Sequence, residues 1–273
     1  MTNKDLTMDS YPYVTGMGFR NRSDMIFDEF TQDSPDSITR DNQVVFIKID
    51  FAHHFFKYIF PNIKYKIKII THNGSIGINE NYKPYLDNDK LIRWYGQNAN
   101  FKHKKLESIP LGIANRRWNH GNINIIEKVL ESKTKKKNLL YLNFDVNTNF
   151  NERNKTFSIF KDKNYVHVEN KRPFEDYLID LKNSKYTLSP EGSGSDCHRI
   201  WESILMNSIP IIKKCHNIMF YKDHLPILVV DDWSQINQEF LENKYDEIKK
   251  NTNKNMLYMD FWIPRIGLNN KKI

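Results

Sequence analysis
The 273 residues of this chain fit one large or two small domains at about 150 residues each, and 39% hydrophobic with 13% aromatic residues exclude a wholly disordered chain. No apolar run reaches the roughly 18 residues that span a bilayer, the opening MTNKDLTMDSYPY lacks the apolar centre of a secretory signal, and two cysteines exclude a disulfide framework and a structural zinc site, so the expectation is a soluble, cytoplasmic protein. The net charge of +8 rests on 31 Lys and 10 Arg, beside 32 Asn and three Ala, a bias that points to an AT-rich genome, viral or microbial, and argues against a nucleic-acid partner, whose phosphates are usually met by Arg.

Residues 1–40, with scattered acids, Ser and Thr, read as an irregular lead-in. Strand and helix then alternate. QVVFIKID (43–50) is a buried strand, and FAHHFFKYIF (51–60) a helix ended by Pro61. In IKYKIKII (63–70) the apolar residues alternate with Lys64, Lys66 and Lys68, which predicts a strand with one solvated face. THNG (71–74) supplies a turn, NENYKPYLDN (79–88) a short helix or loop, LIRWYGQNA (91–99) and LESIPLGIAN (106–115) two strands, and 121–132 a helix.

KTKKKN (133–138) marks a boundary between two units, 1–134 and 135–273, although a surface loop within one domain is the alternative on composition alone. The alternation restarts: strands at 139–144, 164–170, 186–189, 209–213 and 225–230, and helices near 151–162, 173–184, 198–208 and 234–250. Two runs of β-α-β alternation predict an α/β protein with two parallel-sheet units.

The stretch YTLSPEGSGSDCHRIWESILMNSIPII (186–212) concentrates the chemistry. A strand ends at Ser189, the loop Pro190-Glu191-Gly192-Ser193-Gly194-Ser195 follows, and a helix starts near Asp196. Gly192 and Gly194 let main-chain N–H groups approach a ligand, and Ser195 or Asp196 can cap a helix whose N-terminus favours anions. Arg199 in the first turn, with Glu202 three residues on, suits a nucleoside diphosphate, its phosphates near the loop and its ribose near Glu202. An ordinary strand-to-helix turn is the alternative on glycine spacing alone.

The same stretch resembles the signature of exostosin-like glycosyltransferases: a strand ending in Pro-x-Gly, then an Arg, a Glu three residues later, and an Ile-Pro strand. Here these are Pro190-Glu191-Gly192, Arg199, Glu202 and Ile209-Pro210-Ile211-Ile212. Glu191 stands where that family often has Arg, which removes a phosphate-facing cation, and Ser203 and Asn207-Ser208 also depart from its pattern. The resemblance implies two facing Rossmann-like domains, the GT-B architecture in a small version, with the final helix (256–268) crossing back. It implies a nucleotide-sugar donor, UDP- or GDP-linked, held by Ser189, Pro190, Glu191, Gly192, Gly194, Arg199 and Glu202. Arg153, with Lys155 behind it, is a further diphosphate candidate.

An inverting transfer needs a base for the acceptor hydroxyl. His72 in Thr71-His72-Asn73-Gly74 is the first choice, Asp50 the second and Glu80 the third. On the same side Trp94 and Trp118 could stack on sugars, and Asn73, Gln97, Asn98 and Asn115 could bond hydroxyls. Thr71-His72-Asn73 and Pro110-Leu111-Gly112-Ile113-Ala114-Asn115 also resemble runs in that family. Asp231-Asp232 lacks an Asp-x-Asp form and reads as a cap, so no metal or other cofactor is expected. The expectation is a metal-independent glycosyltransferase acting on a glycan or protein acceptor. A non-catalytic nucleotide or sugar-phosphate binding module and a basic nucleic-acid-associated protein are the alternatives.

Overall fold
Two parallel sheets of five strands each, wrapped by helices, make up the α/β fold of this chain. The computed structural model describes residues 6–270, so the first five residues of the expected lead-in lie outside it. One unit takes the chain up to Gly121 and again from Asn255; the other is Asn122–Lys254.

In the first unit, α1 (Gly16–Arg20) precedes β1 (Met25–Phe27), β2 (Val44–Lys48), α2 (Ala52–His54), β3 (Ile67–His72), α3 (Lys83–Leu86), β4 (Leu91–Gly96) and β5 (Leu106–Ser108). The lead-in expected to be irregular therefore holds a helix and an edge strand. With three residues, β1 is too short to show a period, yet Met25 and Phe27 are buried against β2. The sheet runs β1-β2-β3-β4-β5 in plain sequence order. Val45, Ile47, Ile69 and Trp94 form one apolar face, covered by Ala52, Phe55, Phe56 and Phe60. The helix expected at 51–60 is a succession of short turns, 3-10 at Ile49–Phe51 and Phe60–Asn62 with a π-turn at Phe55–Ile59, and Pro61 falls inside the last one.

Two strands differ in extent from the sequence reading. β3 starts at Ile67, not 63, and includes Thr71 and His72, which were expected in a turn. β5 stops at Ser108 instead of continuing to 115. Pro110 has no N–H to donate, and Gly112 takes a left-handed φ of +69° with Val14 O 2.0 Å from where a Cβ would be, so only glycine fits.

The second unit contains α4 (Ile123–Glu131), β6 (Asn138–Leu142), α5 (Phe150–Phe160), β7 (Val166–Val168), α6 (Phe174–Asn183), β8 (Ser184–Leu188), α7 (His198–Leu205), β9 (Ile209–Lys213), α8 (His216–Tyr221), β10 (Leu228–Val230) and α9 (Gln238–Ile248). Its sheet order is β10-β9-β8-β6-β7, with Leu140 beside Tyr186 and Leu188 beside Ile211. From β6 the chain goes first to one side, to β7, and then to the other, to β8. That reversal opens a crevice beyond the carboxyl ends of β6 and β8, the place where open α/β sheets take their ligands.

The division between units falls at Gly121/Asn122 rather than at 134/135, because α4 packs on α6. Lys182 of α6 donates to the carbonyls of Val129 and Leu130 at the end of α4, at 2.6 and 2.7 Å. The charged run 133–137 is thus a loop inside the second unit.

After Lys254 the chain returns to the first unit as α10 (Met259–Ile266). Val14 N donates to Leu257 O and Met259 N to Pro12 O, and Lys68 Nζ reaches Ile266 O at 2.7 Å. Arg265 Nε donates to Glu107 Oε1 at 2.7 Å, and Trp262 meets Phe19 edge-on. Among the described residues no helix is long and apolar enough to cross a membrane.

Candidate functional site
The crevice of the second unit gathers the residues singled out by the Pro-x-Gly motif. β6 leads into Asn143, Phe144 and Asp145, then a 3-10 turn and α5, whose N-cap Asn149 accepts from Glu152 N. This start places Arg153 in the first turn, 5% exposed. Its Nε donates to Glu191 O at 2.9 Å and its Nη1 to Asp145 O at 2.7 Å, so one guanidinium ties the end of β6 to the loop after β8. Burial, and then the nearby Arg199, lower its pKa to about 10, which leaves it cationic at neutral pH.

The loop itself is fastened on both sides. Asn149 Nδ2 donates to Gly192 O at 3.1 Å, Gly192 N donates to Gly194 O, and Ser195 Oγ donates to Asn217 Oδ1 at 3.0 Å, at the start of α8. Gly192 leaves room for a guanidinium: an added Cβ would be 2.8 Å from Arg153 Nη2, which would have to shift. Ser189 is buried, and its hydroxyl has no hydrogen-bond partner among the described residues. Glu191 is half-buried; burial and the charge of Glu152 raise its pKa, and Lys213 pulls it back.

α7 begins at His198, and its N-cap is neither Ser195 nor Asp196. Cys197 occupies the N-cap position, and Asp196 accepts from the Trp201 indole at 2.7 Å. Arg199 donates through Nε to Asn143 O at 2.9 Å. Its guanidinium lies 5.4 Å from the centroid of the Phe144 ring, and that of Arg153 lies 5.7 Å from the same ring. Arg199 and Glu202 do not form an ion pair among the described residues: Glu202, buried, accepts from the Tyr177 hydroxyl at 2.8 Å. Burial pushes the Glu202 carboxyl up to about 7, against the Tyr177 hydrogen bond and the Arg199 charge, both of which lower it.

Sequence reasoning passed over Phe144, Asn149, Tyr177 and Asn217. The Asn-x-x-Glu spacing at 149–152 was a readable helix start; the Tyr177–Glu202 pairing depends on how α6 meets α7 and had no local signal. Asp232 behaves as a cap, accepting from Ser234 N and Oγ at 3.0 and 2.7 Å in a capping box with Gln235.

At the carboxyl edge of the first sheet, the arrangement around His72 differs from the one expected of a free base. His72 is 1% exposed. Nδ1 accepts from Asn73 N at 2.7 Å, which leaves the proton on Nε2, 3.1 Å from Pro110 O. Both ring nitrogens are therefore engaged. Asp50, by contrast, is exposed, and the lack of a side chain at Gly74 makes room for it: a Cβ there would be 2.6 Å from Asp50 Oδ2. Glu80 is exposed, in a 3-10 turn.

Trp94 is fully buried between Phe56 and Tyr82, with its indole N–H on Thr71 Oγ1 at 2.8 Å, so it packs the core and cannot stack on a sugar. Asn73, in the left-handed region at φ 61°, accepts from Asn115 Nδ2 at 3.0 Å, and Asn115 Oδ1 accepts from Met17 N. Gln97 Nε2 donates to Gly74 O at 2.9 Å, and Asn98 is a buried left-handed turn residue at φ 54°. These polar residues mainly hold the strand ends together, with Asn115 and Asn73 half-buried at the edge.

Comparison with known proteins shows what part of the chain is similar to. Residues 133–263 match the family model described as the RXYLT1 C-terminal domain. Among solved structures, the GtfA/B complex aligns at 9% identity over 84% of this chain and 57% of its own, with a TM-score of 0.42. The α,α-trehalose 6-phosphate synthase from Burkholderia multivorans aligns at 7% identity over 83% of this chain and 72% of its own, with a TM-score of 0.42. The chain thus spans little more than half of the first of these. No curated protein matches the sequence. Pro190, Gly192, Arg199 and Glu202 lie inside the 133–263 match, so this part of the chain is similar to a domain of the exostosin-like xylosyltransferase family.

Proposed function
We propose that this chain transfers a sugar from a nucleoside diphosphate sugar to a hydroxyl acceptor, with the donor held in the crevice between β6 and β8. One observation supports this above the others: Arg153 and Arg199 converge over Phe144 at the switch point, beside a glycine-containing loop and the start of α7. Two cations next to a helix N-terminus suit a diphosphate. In this reading Glu202, one turn further along α7, accepts from the ribose hydroxyls as well as from Tyr177.

In the reaction, the acceptor oxygen bonds to the anomeric carbon as the bond from that carbon to the diphosphate breaks. The charge developing on the leaving diphosphate is met by Arg199 and the loop amides, so the transfer needs no metal. Asp231 and Asp232 do not enter, since Asp232 is committed to its cap. The acceptor's proton passes to a carboxylate, and exposed Asp50 suits that role better than His72. A single displacement of this kind inverts the anomeric centre. The family's name makes xylose the first donor sugar to try, with UDP and GDP as the nucleotides.

Calorimetry and thermal shift with UDP, GDP and CMP test the reading. Binding of one nucleotide, lost in Arg199→Ala, supports it, and no binding of any of them to folded protein overturns it.

A further inference from the structure
Five tryptophans are present. Trp94, Trp201, Trp233 and Trp262 are at most 1% exposed, whereas Trp118 is 52% exposed. Leaving so large an apolar ring in water forgoes the stabilisation that its burial would bring. The ring is nevertheless held in place. Trp118 N donates to Asn115 O at 2.9 Å, and Gly121 N closes the next turn onto Trp118 O at 2.8 Å. The Arg117 guanidinium lies 5.3 Å from the indole and 5.7 Å from Phe30, and the His120 ring runs nearly parallel to the indole, at 16°. An indole oriented by its neighbours and still half open is a platform rather than a loose surface residue.

Its place in the chain links it to the edge described above. Trp118 is bonded to Asn115, Asn115 to Asn73, and Gly74, next in sequence, lies against Asp50. A pyranose ring presents one face of C–H bonds, which stacks on an indole, and a rim of hydroxyls, which amide side chains can bond. We infer that Trp118 binds a pyranose ring of a glycan, and, resting on the transferase reading, that this glycan is the acceptor, in preference to a bare protein hydroxyl.

Because the other four indoles are buried, iodide quenching of intrinsic fluorescence reports Trp118. Titration with xylotetraose, maltotetraose and chitotetraose is expected to lower the quenching constant saturably, by about threefold, for at least one of them, as the sugar covers the ring. Trp118→Ala should weaken binding of that oligosaccharide, followed by saturation-transfer NMR, by at least about tenfold, and Trp118→Phe should restore part of it. Both variants should keep the melting temperature, since the side chain is exposed. Absence of protection by all three glycans, or glycan binding unchanged in Trp118→Ala, overturns the inference. If UDP still binds in that case, the transferase reading stands; if glycans protect Trp118 but no nucleotide binds, the carbohydrate site stands and the transferase reading falls.

Discussion
The Tyr177 hydroxyl donates to Glu202 Oε2 at 2.8 Å, joining α6 to the first turns of α7 where the donor's ribose is proposed to lie. Burial holds this carboxyl partly protonated near neutrality, with a pKa of about 7. A carboxylate accepts from ribose hydroxyls better than a carboxylic acid does, so nucleotide affinity should rise by roughly three- to tenfold between about pH 6 and about pH 8. Glu202→Gln should weaken binding and flatten this profile. Tyr177→Phe, which removes a hydrogen bond that favours the ionised form, should move the profile upward in pH. Calorimetric titration across that range checks all three.

The two cations of the crevice should separate by their anchoring. Arg199 is half-buried and fixed by one carbonyl, so Arg199→Ala should cost nucleotide affinity at least about tenfold with little loss of stability. Arg153 is buried and satisfies the carbonyls of Glu191 and Asp145. Arg153→Ala should cost affinity and also about 2–3 kcal/mol of stability, because those acceptors lose their partner. Urea unfolding beside nucleotide titration distinguishes the two.

His72 and Asp50 should exchange the roles that residue type alone suggests. Asp50→Asn should lower kcat by about 10²–10⁴ while leaving nucleotide affinity unchanged. His72→Ala removes partners from Asn73 N and Pro110 O and should destabilise by about 1–3 kcal/mol, with kcat per folded molecule kept within a few-fold. Initial rates on protein quantified by its melting transition check both.

Lys136, Lys182 and Lys254 donate to main-chain carbonyls and influence one another, and none of the three is in an ion pair among the described residues. Burial, then Lys254 and Lys182, bring the Lys136 pKa down to about 7. The unfolded chain keeps this lysine protonated to its ordinary value of 10.5, so between these values the unfolded state binds more protons and this group adds stability as pH rises. Lys136→Met should raise the melting temperature at neutral pH and reduce its rise toward about pH 10. Melting curves in a pH series measure this.

Much of the fold was legible because buried parallel strands are written as β-branched runs. Val44–Lys48, Asn138–Leu142 and Ile209–Lys213 were found within a residue or two of their ends. β1, with three residues, had no room for a period, and β5 stops at a proline and a left-handed glycine whose effect depends on Val14, far away in sequence. In the candidate site, the Gly-containing loop, Arg199 and Glu202 were named from local pattern and Arg153 from the resemblance; Arg153 and Arg199 lie over the same Phe144 ring. Burial was not legible: Trp94 and Trp118 are the same residue type in similar polar surroundings, and only packing against Phe56 and Tyr82 makes the first a core residue.

The return of α10 to the first unit has a consequence for synthesis. When a ribosome has made residue 254, every strand of the second sheet has been synthesised, and that unit is one continuous piece of chain. The first sheet still lacks Leu257, Met259 and Ile266, whose main chain bonds Val14, Pro12 and Lys68. The half of the protein that is translated first is therefore the half that finishes last, reversing the usual N-to-C order of domain maturation. The surface that α10 covers must wait through the whole translation of the second unit, and a chain cut at 254 would leave it uncovered.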